Sequence, residues 1–153
     1  MFYVLSHKAK ITTKVLLAAI MLFVGSSIYL LFRSKALYIH KWCTALGLSN
    51  CIDKSRSVVS NWGISSFVKY SLPDGLYCAA YILAMDAIWQ KECGWQKSVA
   101  IFSVPLFTIC SEILQYYGIV KGTFDYCDLV CYAIPPTTYL YLKRNKITKA
   151  KLK

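Results

Sequence analysis

Residues 15–32 run for eighteen positions without a charged side chain. At about 1.5 Å per residue, such a helix reaches most of the way across a hydrocarbon layer roughly 30 Å thick. A stretch like this has two outlets, the centre of a large soluble core or a bilayer. The rest of the chain favours the second. Of its 153 residues 57% are apolar and 16% charged, against about 25% charged in soluble domains. Residues 98–111 and 129–142 are also free of charge, and 76–90 is interrupted by Asp86 alone. These runs predict an all-α protein, a four-helix transmembrane bundle with spans near 13–32, 71–90, 95–117 and 124–142, forming a single membrane domain over 1–153. The first run exceeds the usual apolar core of a secretory signal, and Arg33-Ser34-Lys35 follows it in place of a small-residue cleavage site. It therefore reads as an anchor.

The formal charge of +11 sits between the apolar runs and not along an aromatic-interleaved face, which argues against nucleic acid as a partner. Six basic residues, Lys143, Arg144, Lys146, Lys149, Lys151 and Lys153, crowd the C-terminal tail. With four spans and Lys8, Lys10 and Lys14 at the other end, this predicts both termini in the cytoplasm. The mixed segment 33–70 holds Trp42, Trp62, Cys43 and Cys51; it reads as short amphipathic helices lying on the membrane surface between the first two spans. Seven cysteines without a Cys-x-x-Cys pair give no metal-thiolate centre, and only Cys43 and Cys51 are placed to pair, if their segment faces an oxidising space. Gly25-Ser26-Ser27 is a small patch that lets another helix come close, and Pro135-Pro136 releases the carbonyls of Cys131 and Tyr132 from helical bonding.

Acidic residues gather where the apolar runs meet. Alternating spans place the start of the second, the end of the third and the start of the fourth on one side of the membrane, so Asp74, Glu112, Gln115, Asp125 and Asp128 share a leaflet, the outer one given the basic tail. Glu112 and Gln115 are three apart, as are Asp125 and Asp128, and Tyr132 continues the second stripe. Simple structural duties cover some of these. Ser71 and Asp74 have capping-box spacing with Pro73 in the first turn, and Asp125 and Asp128 suit a helix N-terminus. Glu112 stands near the negative pole of its own helix, so neither cap nor dipole explains it; it is either a site residue, the partner of a buried Lys121, or a protonated acid sharing with Asp125. Tyr116, Tyr117, Tyr126 and Tyr132 read as an interfacial aromatic belt, with Tyr132 also a candidate for the site. Gly118 reads as the helix C-cap of the third span.

Glu112-Ile113-Leu114-Gln115, the glycine turn Gly122-Thr123-Phe124-Asp125 and then Asp128 resemble the VanZ-like family of small bacterial multi-pass membrane proteins, whose signature is Glu-x-x-Gln, a glycine-led turn and two aspartates three apart. The resemblance covers residues 72–142. Thr123 stands where that family commonly has an arginine, and Leu72-Pro73-Asp74-Gly75 lacks its lysine and histidine. The resemblance implies a protein of the bacterial cell (inner) membrane with Asp74, Glu112, Gln115, Asp125 and Asp128 as its site; some members are linked to low-level resistance to the glycopeptide teicoplanin.

Taken together, the residues and the resemblance suggest an envelope protein with an acidic pocket for a lipid-linked or headgroup ligand. Two alternatives stand beside it. One is an intramembrane enzyme whose carboxylates hold a divalent cation, Mg²⁺, Ca²⁺ or Mn²⁺ by their all-oxygen donors. The other is a proton- or cation-coupled transporter. Catalytic residues, a bound metal and the ligand itself are left open by the sequence.

Overall fold

The computed structural model describes residues 2–35, 37–92 and 94–151, with side chains described for 11–145 apart from Ala36 and Cys93. Among them are six helices and no strand: α1 (Phe2–Phe32), α2 (Tyr38–Ala45), α3 (Ser49–Val59), α4 (Ser66–Ile88), α5 (Trp95–Tyr116) and α6 (Tyr126–Lys151). The expected side chains of Lys8, Lys10, Lys146, Lys149, Lys151 and Lys153 lie outside the described residues, as does Cys93. Among the described residues two helices are long and apolar enough, by length and composition, to cross a membrane, Ile11–Phe32 and Trp95–Tyr116.

Helix α4 is the centre of the molecule, packing against α1, α5 and α6. Small residues make this possible. A methyl added to Gly75 of α4 would lie 3.2 Å from both the Cβ and the carbonyl oxygen of Cys131 in α6, and one added to Gly25 of α1 would lie 3.3 Å from the Tyr77 ring of α4. The Tyr77 hydroxyl also meets Ser26 Oγ at 3.2 Å, so the expected small patch at Gly25 serves the α1–α4 contact. Around Cys78, Ile82 and Ile101 a compact core forms, joined by Met85, Phe102, Tyr132 and Tyr139. The prolines of α6 free carbonyls as the sequence predicts, and α4 answers: the Cys78 thiol donates to the Tyr132 carbonyl at 3.8 Å.

At one end of the bundle a single carboxylate gathers all four long helices. Asp86 of α4 pairs with Lys14 of α1 at 2.6 Å and with Lys97 of α5 at 3.1 Å, and accepts a hydrogen bond from the Tyr139 hydroxyl of α6 at 2.9 Å. Sequence reasoning places Asp86 near an interface; the structure places it, 15% exposed, between two lysines. Early α1, late α4, early α5 and late α6 thus share one end, which fixes the alternating directions of the four helices.

Two boundaries differ from expectation. Helix α4 begins at Ser66 with Ser65 as its cap, Ser65 Oγ accepting from the Val68 amide at 3.5 Å. Ser71 is buried inside the helix, so the capping box at Ser71 and Asp74 does not form. Pro73 lies two turns in and is fully buried, because its contacts with neighbouring helices outweigh the hydrogen bond it denies to Lys69. Helix α6 continues to Lys151 where the sequence suggested an end near 142. Helix α5 ends where the sequence predicts, with Gly118 at φ 69°; the amides of Gly118 and Ile119 return to the carbonyls of Gln115 at 3.0 Å and Leu114 at 2.9 Å, a Schellman closure.

The segment between α1 and α4 folds into the short helices α2 and α3. Arg56 of α3 ties them to the bundle by donating to the carbonyls of Leu30 at 2.7 Å and Arg33 at 2.9 Å, the groups that the end of α1 leaves open. Lys35 pairs with Asp53 at 2.6 Å, and that bond holds the Asp53 carboxyl below its ordinary range. Trp42 and Trp62 are exposed. Cys43 and Cys51 are free thiols.

Replacing Asp86 with Ala strands two lysines with little access to solvent, and the loss of one partner from such a group costs about 3–5 kcal/mol. The variant D86A should accumulate poorly and melt well below the wild type in detergent. Tyr139→Phe removes one hydrogen bond and should cost only about 1 kcal/mol. At the α4–α6 crossing, Gly75→Val should lower thermal stability by about 1–3 kcal/mol through overpacking, more than Gly25→Ala.

Candidate functional site

The opposite end of the bundle is acidic. It is built where the first half of α4, the last turns of α5 and the first turn of α6 converge, as the alternating arrangement predicts. Glu112 is the buried member, 7% exposed. The Asp125 backbone amide donates to its carboxyl group, and Asp128, Asp74 and Asp125 all lie within electrostatic range. Its second oxygen, Oε2, is buried with no hydrogen-bond partner, and so is Asp128 Oδ1. Buried acceptors normally find donors, and two on neighbouring acids create a place that attracts a proton, a cation or a ligand N–H.

Asp74 lies beside them, hydrogen-bonded to the Tyr132 hydroxyl of α6 and within electrostatic range of Asp128 and Arg33. Since α4 begins eight residues earlier, Asp74 has no capping duty, and its place in the cluster is its structural role. Arg33 is the member that sequence reading missed. It ends α1 with its guanidinium over the rings of Tyr29 at 5.1 Å and Tyr70 at 5.0 Å, donates to the Tyr70 carbonyl at 3.4 Å, and leaves Nε buried without a partner. The same argument from alternating spans would have found it, because the end of the first span must share a side with the start of the second.

Two predicted residues have other duties. Asp125 is the N-cap of α6: its Oδ1 accepts from the Cys127 amide at 2.8 Å and its carbonyl from the Leu129 amide at 3.2 Å. Gln115 folds onto the turn, where its side chain occupies the space that any Cβ at Gly122 would need. The turn glycine and the Glu-x-x-Gln glutamine are thus a packing pair. Lys121 is exposed, and among the described residues it forms no ion pair with Glu112. No group of three His, Cys, Asp or Glu side chains among the described residues is arranged to hold a metal ion.

An apolar groove of about 250 Å³ lies between the end of α5 and the start of α6, lined by Ile113, Tyr116, Tyr117, Phe124, Tyr126 and Leu129. Its rings touch edge to face, Tyr116 with Phe124 at 5.1 Å and Phe124 with Tyr126 at 4.7 Å. The groove and the acids are thus drawn from the same turns of α5 and α6 and share one end of the bundle.

No protein-family model, curated protein or solved structure matches this chain.

Removing the Asp125 cap and removing the Glu112 charge should act in opposite senses. Asp125→Ala leaves the Cys127 amide without its acceptor and should lower stability by about 1 kcal/mol. Glu112→Gln keeps the shape, offers an N–H to Asp128 and removes an anion from among three others, so its melting temperature in detergent should equal or exceed that of the wild type.

Proposed function

We propose that this chain is a VanZ-like multi-pass protein of the bacterial cell envelope, whose acidic pocket receives the polar head of a lipid-linked or lipid ligand. The observation that carries the reading is the pair of buried, unpartnered oxygens on Glu112 and Asp128, at the end of the bundle that also holds an apolar aromatic groove. A headgroup ammonium or hydroxyl supplies the donor those oxygens lack, and the groove takes the adjoining apolar chain.

Four crossings are the membrane arrangement in keeping with the packing. Large apolar side chains point outward from α1, α5 and α6, among them Phe23, Leu106, Phe107, Val130 and Ile134, while α4 keeps Asp74 and Asp86 among its neighbours. Polar groups turned inward are the form in which a bilayer tolerates them. The basic tail then lies in the cytoplasm with both termini, and the pocket opens at the outer leaflet. A role in glycopeptide resistance of the teicoplanin type would follow if the ligand is a cell-wall precursor carried on lipid.

Native mass spectrometry of the protein released from membranes tests the binding. The wild type should carry a lipid or lipid-linked molecule that Glu112→Gln and Asp128→Asn lose while remaining folded. Retention of the same adduct by both variants would overturn the pocket. For orientation, a periplasmic reporter should be active when inserted at 119–123 and inactive when fused after Lys153.

A further inference from the structure

A cleft of about 380 Å³ opens at the end of α1, between the last turn of α3 and the first turns of α4. It is lined in part by Leu31 and Phe32 of α1, Arg56 and Ser57 of α3, and Lys69 and Tyr70 of α4. Two cations converge here, and no carboxylate enters the wall. Asp53, one turn before Arg56, lies within its electrostatic range but is bound to Lys35 at 2.6 Å. Arg56 is fixed in place, because its Nη1 donates to the carbonyls of Leu30 and Arg33; uncovered, those carbonyls would repel an anion at the end of α1. Its Nε and Nη2 donors have no hydrogen-bond partner among the described residues and, unlike the buried Nε of Arg33, stay open to solvent. The Lys69 ammonium lies 5.8 Å from the centre of the Phe32 ring and makes no ion pair among the described residues. Arg33 adds a third positive charge, 5.0 Å from the ring centre of Tyr70. Like charges sharing a cleft repel one another, and a cleft of one sign concentrates the opposite ion.

We propose that this cleft is a phosphate site, filled by the headgroup of an anionic phospholipid. The phosphate follows from the donors. A guanidinium with free Nε and Nη2 presents parallel N–H groups that match two phosphate oxygens, and an ammonium in the same wall supplies a further charge-assisted contact. The lipid follows from the place. The apolar wall of the cleft, Leu31 and Phe32, is the last turn of a helix long and apolar enough to cross a membrane. A phosphate held beside it sits where the apolar length of α1 ends, at headgroup level, with its acyl chains running back along an apolar helix. The proposal rests on α1 as a membrane span. It is separate from the acidic pocket and stands whether or not that pocket binds a ligand.

The test titrates the full-length protein, in a neutral alkyl maltoside, with phosphatidylglycerol, with phosphatidylcholine of the same acyl chains or with inorganic phosphate, and follows binding by native mass spectrometry and thermal shift. Phosphatidylglycerol should bind as one tightly held copy and raise the melting temperature. Phosphatidylcholine should bind more weakly, since its quaternary ammonium would meet Arg56 and Lys69. Lys69→Gln should weaken phosphatidylglycerol binding by about fivefold, the scale of one basic residue beside an anionic lipid, and Lys69→Glu should weaken it further. Lys69 holds no ion pair among the described residues, so its variants keep the fold, whereas Arg56→Gln would also release the carbonyls at the end of α1. Lys54→Gln, exposed on α3 outside the lining, and Glu112→Gln should both bind as the wild type does. A response to inorganic phosphate of the same size would keep the phosphate site and overturn the lipid source. The proposal fails if phosphatidylcholine binds as tightly as phosphatidylglycerol, if both Lys69 variants bind like the wild type, or if Lys54→Gln loses as much as Lys69→Gln. It fails equally if Glu112→Gln abolishes the binding, because the lipid then sits in the acidic pocket.

Discussion

The Asp86 carboxylate is the constraint from which the rest of the arrangement follows. An anion removed from water is held only when its partners replace the solvation it has lost, and here Lys14, Lys97 and Tyr139 arrive from three different helices. This meeting point sets rotation and height together. Arg33 lies nineteen positions beyond Lys14, about 28 Å along a helix, and Tyr70, whose carbonyl and ring it meets, lies sixteen positions before Asp86, about 24 Å. Pinning α1 to α4 at one end therefore accords with Gly25 facing Tyr77 midway and Arg33 meeting Tyr70 at the other. The acidic cluster inherits its geometry from an ion cluster at the far side of the bundle.

The central position of α4 explains why hydropathy alone singles out two helices. Ile11–Phe32 and Trp95–Tyr116 have most of their surface facing outward, so their sequences must suit the surroundings directly. Helix α4 is enclosed by three neighbours and is free to carry Asp74, Asp86 and Ser71, because its surroundings are protein. Helix α6 dilutes its apolar first half with a basic second half. Average apolarity reports what a helix shows to the outside and is a poor guide to a helix that shows little.

Much of the arrangement was legible in the sequence. Charge-free runs marked the long helices, Gly118 marked the end of α5, and alternation brought Asp74, Glu112 and Asp128 together. What escaped was long-range. Ser71 and Asp74 satisfy the local spacing of a capping box, yet burial of Pro73 and Ser71 against neighbouring helices carried α4 back to Ser66. Asp86 showed no sequence partner, since Lys14 and Lys97 lie far from it along the chain and meet it only once helices pack. The unpartnered oxygens of Glu112 and Asp128 belong to the same class, for an unmet hydrogen bond is a property of surroundings and leaves no trace in a residue pattern. Gln115, conspicuous by its spacing from Glu112, was instead consumed by the turn at Gly122.

Helix α6 contributes Tyr132 to the acidic end and Tyr139 to the ion cluster, with Pro135 and Pro136 between them. Those prolines remove two successive rungs of backbone bonding, and the Tyr132 carbonyl is held by a thiol of α4 in their place. Torsional stiffness is lowest where such rungs are missing. The helix is in mechanical terms a jointed strut, with its first half bound to the acidic end through Tyr132 and its second half gripping Asp86 through Tyr139. A joint between two anchored halves lets a strain at one end relax there before it reaches the assembly that holds the four helices in register.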